Sequence, residues 1–242
     1  MDRTIHKNSA IVLAAVFLLS FWAFWPAYLS GALTEVNWQV HFHAITLFLW
    51  CVLMVSQAYL IRSNRRSIHR QTGKLSYLLA PLVVIASLSA VHNFLGREAV
   101  PIVYEPYALA FVLGLVAQFV FAYALAIYHR RNAAIHARFM ICTALPMMPP
   151  ILDRIMIYYL IPPPRAGFLP TIEGIPTYEI LAYAVVDAVL LALAIWDWKS
   201  RRRLTVFPVV LGASVAFQVL PVLVYGTASW ERFSEWFLRL PL

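Results

Sequence analysis

Seven long runs of apolar, almost uncharged residues dominate the chain, and each has about the 20-residue length of a helix that crosses a bilayer. They lie at 11–29, 42–61, 75–95, 107–128, 139–160, 178–198 and 206–225. A backbone in hydrocarbon must satisfy its own hydrogen bonds, so all seven are expected to be helices. Composition agrees: 62% of the residues are apolar and 12% charged, against roughly half and a quarter in a soluble globule. The longest connection, 161–177, is too short for a soluble domain and carries five prolines, as a stiff, partly extended cover would. The expected fold is therefore all-α: one integral membrane domain, residues 1–242, built as a seven-helix bundle.

Charge sets the expected orientation. Fourteen of the nineteen basic residues fall in the N-terminal tail and the connections after spans 2, 4 and 6, all on one side of the membrane. The positive-inside rule then predicts a cytoplasmic N-terminus, an outer C-terminus and residence in the cell inner membrane. The net charge of +8 is accounted for by topology and attraction to anionic lipid at the cytoplasmic face, with no nucleic-acid partner implied. "SGA" at 30–32 has the small residues of a cleavage site, yet the first run is expected to stay as a span. After span 7, residues 226–242 place Trp230, Phe233, Phe237 and Leu240 on one helical face, as in a helix lying in the outer interface. Residues 230–242 would alternatively dock a membrane-protein partner.

Polar residues inside the apolar runs are where function is expected. Span 5 holds Pro146, Pro149 and Pro150, each of which removes a donor and crowds the preceding turn, so a kink or break is predicted there. Just beyond lie Asp153 and Arg154, and span 6 carries Asp187 at matching depth. Isolated charges at helix centres cost about 2.5–3.5 kcal/mol each on insertion scales, so Arg154 is expected to pair with Asp187. Cys51 and Cys142, both inside spans, read as small apolar residues.

The histidines form two levels. His41, His43 and His92 approach the outer face, whereas His69, His129 and His136 stand at cytoplasmic span ends. His41 and His43 point about 200° apart on a helix and cannot share its inner face. His43 heads a seven-residue stripe with Trp50 and Gln57, joined by Thr46, Leu47 and Met54, so His43 is expected inward. Opposed imidazoles suit haem iron, and imidazole with carboxylate suits zinc, iron or copper. His43 and His92 are thus candidate haem or metal ligands, with Asp153, Arg154, Asp187, Glu35 or Glu105 in support. Position 57 is glutamine and position 78 leucine, so no helix carries the two histidines that stacked haems require.

The phrases "RSNRRSIHRQTGKLSYLL" and "HARFMICTALPMMPPILDRI", with His43, resemble a group of bacterial multi-pass membrane proteins of undefined activity. In that group an early histidine precedes an Arg-x-x-x-His-Arg-x-x-Gly phrase, and a later His-x-Arg-x-Met phrase leads to a proline and an arginine. The matching residues are His43, Arg65 or Arg66, His69, Arg70, Gly73, His136, Arg138, Met140, Pro146 and Arg154. "VDAVLLALAIWDWKSRRR" and "GTASW" also fit, and the resemblance spans most of 40–230. It implies a shared fold. His69, His136, Arg70 and Arg138 make up a second candidate site at the cytoplasmic side, holding a ligand between imidazoles or binding an anionic group.

The expected function is a membrane protein with a histidine-centred metal or haem site near the outer face, redox-related. A non-catalytic complex subunit or small-molecule binder, and a zinc-dependent intramembrane hydrolase using Asp153 or Asp187, are the alternatives. A retinal photoreceptor is disfavoured because span 7 has no lysine to form a Schiff base.

Overall fold

The computed structural model describes residues 3–31, 36–96, 105–160, 171–172, 175–201, 206–224 and 226–241. Side chains of 3–8, 105–107, 171–172 and 201 are outside that description, as are Glu35 and most of the proline-rich connection at 161–174. Seven helical spans are long and apolar enough to cross a membrane: Ser9–Leu29, Trp38–Arg62, Arg66–Leu95, Ala108–Tyr128, Ala133–Leu160, Thr177–Ser200 and Phe207–Val224. Large apolar side chains such as Leu18, Ile45, Leu78, Leu181 and Leu223 face outward, as a lipid environment demands.

Span 1 is α1, Arg3–Phe24, closing in a wider π turn over Trp25–Leu29 that contains Pro26. Span 2 is α2, Trp38–Arg62. Span 3 joins α3, Arg66–Thr72, through a 3-10 turn at Gly73–Leu75 to α4, Ser76–Leu95. It begins nine residues earlier than hydropathy places it: the basic run 66–74 is helical, and long arginine and lysine side chains can reach the polar interface from there. Span 4 is α5, Glu105–Tyr128. Span 5 is broken into α6, Ala133–Cys142, a 3-10 turn at Leu145–Met147, α7, Met148–Ile155, and a π turn at Met156–Leu160. Spans 6 and 7 are α8, Thr177–Arg201, and α9, Phe207–Val224. The two-residue strands β1, Thr171–Ile172, and β2, Ile175–Pro176, pair antiparallel just before α8.

The spans close a ring in which α1 packs on α2, α2 on α4, α4 on α5, α5 on α9, α9 on α8, α8 on α7, and α7 on α1. The break in span 5 has a structural consequence. Its first half, α6, packs on α5, while its second half, α7, leans on α8 and α1. Prolines at 146, 149 and 150 interrupt the hydrogen-bond ladder where one helix must change neighbours. At the α5–α9 contact Gly114 lets the backbones approach: a Cβ there would sit 2.8 Å from the Phe217 carbonyl oxygen.

One core cluster gathers Phe139, Cys142, Leu190 and Phe207 between α6, α8 and α9; a second surrounds the fully buried Trp50 with Leu53, Val83 and Phe119. The predicted stripe on α2 is its buried face, with Thr46, Trp50, Met54 and Gln57 all inside. Thr227 accepts a hydrogen bond from the Trp230 amide (3.3 Å) and opens α10, Ala228–Leu238. Phe237 is buried against Val91, Leu95 and Leu109, with Trp230 and Phe233 packed alongside. The apolar face expected on an interfacial helix is thus docked onto α4 and α5.

Candidate functional site

Two polar layers occupy the two ends of the bundle. The first lies away from the basic connections, where α7, α8 and α9 meet. Glu179, Tyr183 and Asp187 fall at i, i+4 and i+8 on α8, one face of a helix descending about 12 Å into the bundle. Tyr183 lies within electrostatic range of Glu179, Asp153 and Asp187, and Asp153 within range of Glu179 and Arg154. The α7 segment that carries Asp153 stands between the two irregular segments of span 5 and packs against α8.

The carboxylates in this layer are treated differently. Ser214 Oγ donates to Asp187 Oδ1 (2.9 Å), and Gln218 Nε2 donates to both Asp187 oxygens (3.1 and 3.0 Å) and to Ser214 Oγ (2.9 Å). These α9 side chains, one turn apart, satisfy Asp187. The Arg154–Asp187 ion pair expected from matching depth does not form, because hydrogen-bond donors on α9 already claim that carboxylate. Asp153 is only 5% exposed, and its Oδ1 has no hydrogen-bond partner among the described residues. A buried carboxylate oxygen without a hydrogen bond is costly.

The second layer lies at the basic end. Arg138, on α6, forks onto Asp197 of α8 through Nε to Oδ2 (3.0 Å) and Nη2 to Oδ1 (2.7 Å), both side chains buried. Arg138 Nη1 also donates to the Ala134 carbonyl (3.0 Å). Tyr123 Oη donates to Ser76 Oγ (3.0 Å), and Ser76 Oγ donates to the Gly73 carbonyl (2.7 Å). Gln57 Nε2 donates to Thr72 Oγ1 (2.7 Å), leaving its buried Oε1 unpartnered among the described residues. Gly73 packs closely here: a Cβ would lie 3.2 Å from Gln57 Oε1, a tight contact.

The two imidazoles of this layer, His69 and His136, are in electrostatic range of one another. His136 Nδ1 donates to the Ala126 carbonyl (2.8 Å), which fixes its tautomer and leaves the Nε2 lone pair available. His69 Nδ1 makes no hydrogen bond among the described residues, while the ring lies within reach of the Gln57 backbone. Arg70, beside it on α3, is exposed. The structure therefore brings His69, His136 and Arg138 into one layer. It adds Asp197, which sequence reasoning missed although a carboxyl between two tryptophans at a span end was a usable signal.

The outer histidines have separate partners. His43 Nδ1 is hydrogen-bonded with Ser87 Oγ (3.3 Å) on α4. His92, five residues later on that helix and so about 140° around it, donates from Nε2 to the Leu238 carbonyl (3.2 Å) and packs edge-on against Phe237. His41 bonds with the Tyr28 hydroxyl (2.8 Å) at the end of span 1. Among the described residues no three His, Cys, Asp or Glu side chains assemble as a metal-ligand set. Glu179, Tyr183, Ser214 and Gln218 were also unassigned from sequence; the i, i+4 spacing of each pair was the signal that would have found them. The chain matches no family model, no curated protein and no solved structure.

Proposed function

We propose that this chain is a proton-handling membrane protein in which Asp153 takes up and releases the proton. The carrying observation is a carboxyl group 5% exposed, inside a span, with one oxygen unpartnered among the described residues. Intramembrane carboxyls of this kind mark proton and ion routes. The Glu179–Tyr183–Asp187 face of α8 supplies a polar approach from the nearer membrane surface, and Asp187 is held fixed by Ser214 and Gln218. Arg154, next in sequence, is the counter-charge within reach when Asp153 ionises. By the positive-inside rule the basic end faces the cytoplasm and anionic lipid, so the N-terminus lies inside, the C-terminus outside, and the acidic face opens outward. That distribution fits the inner membrane.

The test is proton movement in proteoliposomes holding an internal pH-sensitive dye. The full chain under an imposed potential is expected to carry protons, and Asp153→Asn to abolish the flux while the protein still folds. Flux unchanged in that variant would remove the reading and leave a non-catalytic subunit as the better description.

A second reading is favoured by the basic-end imidazoles. His136 is tied at Nδ1 to a backbone carbonyl, as metal-ligating histidines commonly are, and His69 Nδ1, nearby, makes no hydrogen bond among the described residues. These nitrogens suit a transition metal such as zinc, iron or copper, or haem iron, and would give the protein a redox role. A visible spectrum and metal analysis of the native protein test it. A Soret band or stoichiometric metal lost in His136→Ala supports it, and a colourless, metal-free preparation sinks it.

A further inference from the structure

At mid-membrane, where span 5 breaks, three sulfur-bearing side chains converge. Cys51 Sγ lies 3.9 Å from Met147 Sδ, and Met54 Sδ lies 3.9 Å from the Thr143 hydroxyl, whose proton goes to the Met140 carbonyl (2.7 Å). Both α2 sulfurs are thus turned toward span 5. Cys51, Met54 and Met147 also line one small cavity of about 10 Å³, closed by Trp50, Phe17, Ala144 and other apolar groups. A cavity needs about 10–15 Å³ by the same measure to hold one water, so the space admits a single small ion and little else. Cys51 is a free thiol.

We propose that Cys51, Met54 and Met147 form a binding site for a soft monovalent metal ion, copper(I) in the cell and silver(I) as its analogue. Thiol and thioether donors select copper(I) over the harder divalent ions. With metal–sulfur bonds of about 2.3 Å, sulfurs 3.9 Å apart subtend about 115° at a shared metal, close to the trigonal angle. The charge balance also suits the location. Binding replaces the thiol proton with the metal: the S–H bond breaks, an S–metal bond forms, and a proton leaves. The product, one thiolate with one monovalent cation and two neutral thioethers, carries no net charge in the middle of the bilayer. The indole of Trp50, fully buried, lines the same cavity.

The test uses the full chain in detergent, reduced and anaerobic, titrated with silver(I) or copper(I) against a competing chelator of known affinity. One ion per chain is expected, with a sulfur-only first shell by X-ray absorption. Met147→Leu and Met54→Leu, which preserve volume, should each weaken binding at least tenfold, and Cys51→Ala should abolish the site. Cys142→Ala, which removes the other cysteine, should leave affinity unchanged. Absence of a stoichiometric ion, a nitrogen-containing shell, or wild-type affinity in Met147→Leu would each overturn the proposal. The proton-handling reading stands or falls separately, because Asp153 takes no part in this site.

Discussion

The Arg138–Asp197 fork offers a quantitative test of how the basic end is held. Its two hydrogen bonds, 3.0 and 2.7 Å, join side chains that are 5% and 2% exposed, and tie α6 to α8. Water screening is minimal there, and the planar guanidinium engages both carboxylate oxygens. Asp197→Leu removes the carboxylate onto which the buried guanidinium forks. Breaking one partner of such a pair costs about 3–5 kcal/mol. For a chain of this size each kcal/mol lowers the melting temperature by about 2–4 °C, so a drop of about 6–20 °C is expected. Arg138→Met should be damaging in the same range. The double variant replaces a buried ion pair with apolar side chains, an exchange that is often neutral, so most of the loss should return. Thermal unfolding of the detergent-solubilised protein, followed by tryptophan fluorescence and by recovery from size exclusion, reads all four proteins of the cycle. Single losses under about 2 °C, or losses that simply add in the double variant, would show that the two groups do not depend on one another.

Three further outcomes follow from the packing. Gly114→Ala places a Cβ 2.8 Å from the Phe217 carbonyl oxygen, and overpacking of this kind costs about 1–3 kcal/mol; a melting temperature equal to wild type would refute the tight α5–α9 contact. Gln218→Leu strips a donor from both Asp187 oxygens and should destabilise by about 1–3 kcal/mol, measured by the same unfolding assay, whereas no change would mean that Ser214 suffices. Thr227→Ala removes the cap of α10, worth about 1 kcal/mol. Amide exchange should then quicken over 228–231 with α9 unaffected, and uniform exchange in both helices would contradict that local role.

The spans were legible because the bilayer enforces length and apolarity together, and these survive in a single sequence. The break in span 5 was equally plain from Pro146, Pro149 and Pro150. Side-chain pairing was not. Depth matched Arg154 to Asp187, yet depth says nothing about azimuth, and α9 presents Ser214 and Gln218 to that carboxylate instead. The same blindness hid Asp197 as the partner of Arg138, since contact between α6 and α8 follows from how span 5 bends. His43 is half-buried at the head of the buried stripe of α2, its neighbour is Ser87, and His92 turns toward α10. Cys51 read as a small apolar residue because its proximity to Met147 spans 96 positions of chain.

The central claim is that Asp153 exchanges a proton within the membrane, and infrared difference spectroscopy of the full chain in lipid tests it most directly. A pH step should produce a change in carboxylic C=O stretch that shifts on deuteration and vanishes in Asp153→Asn, with the amide bands of the folded protein unchanged. A difference spectrum in which that signal persists in Asp153→Asn would contradict the assignment.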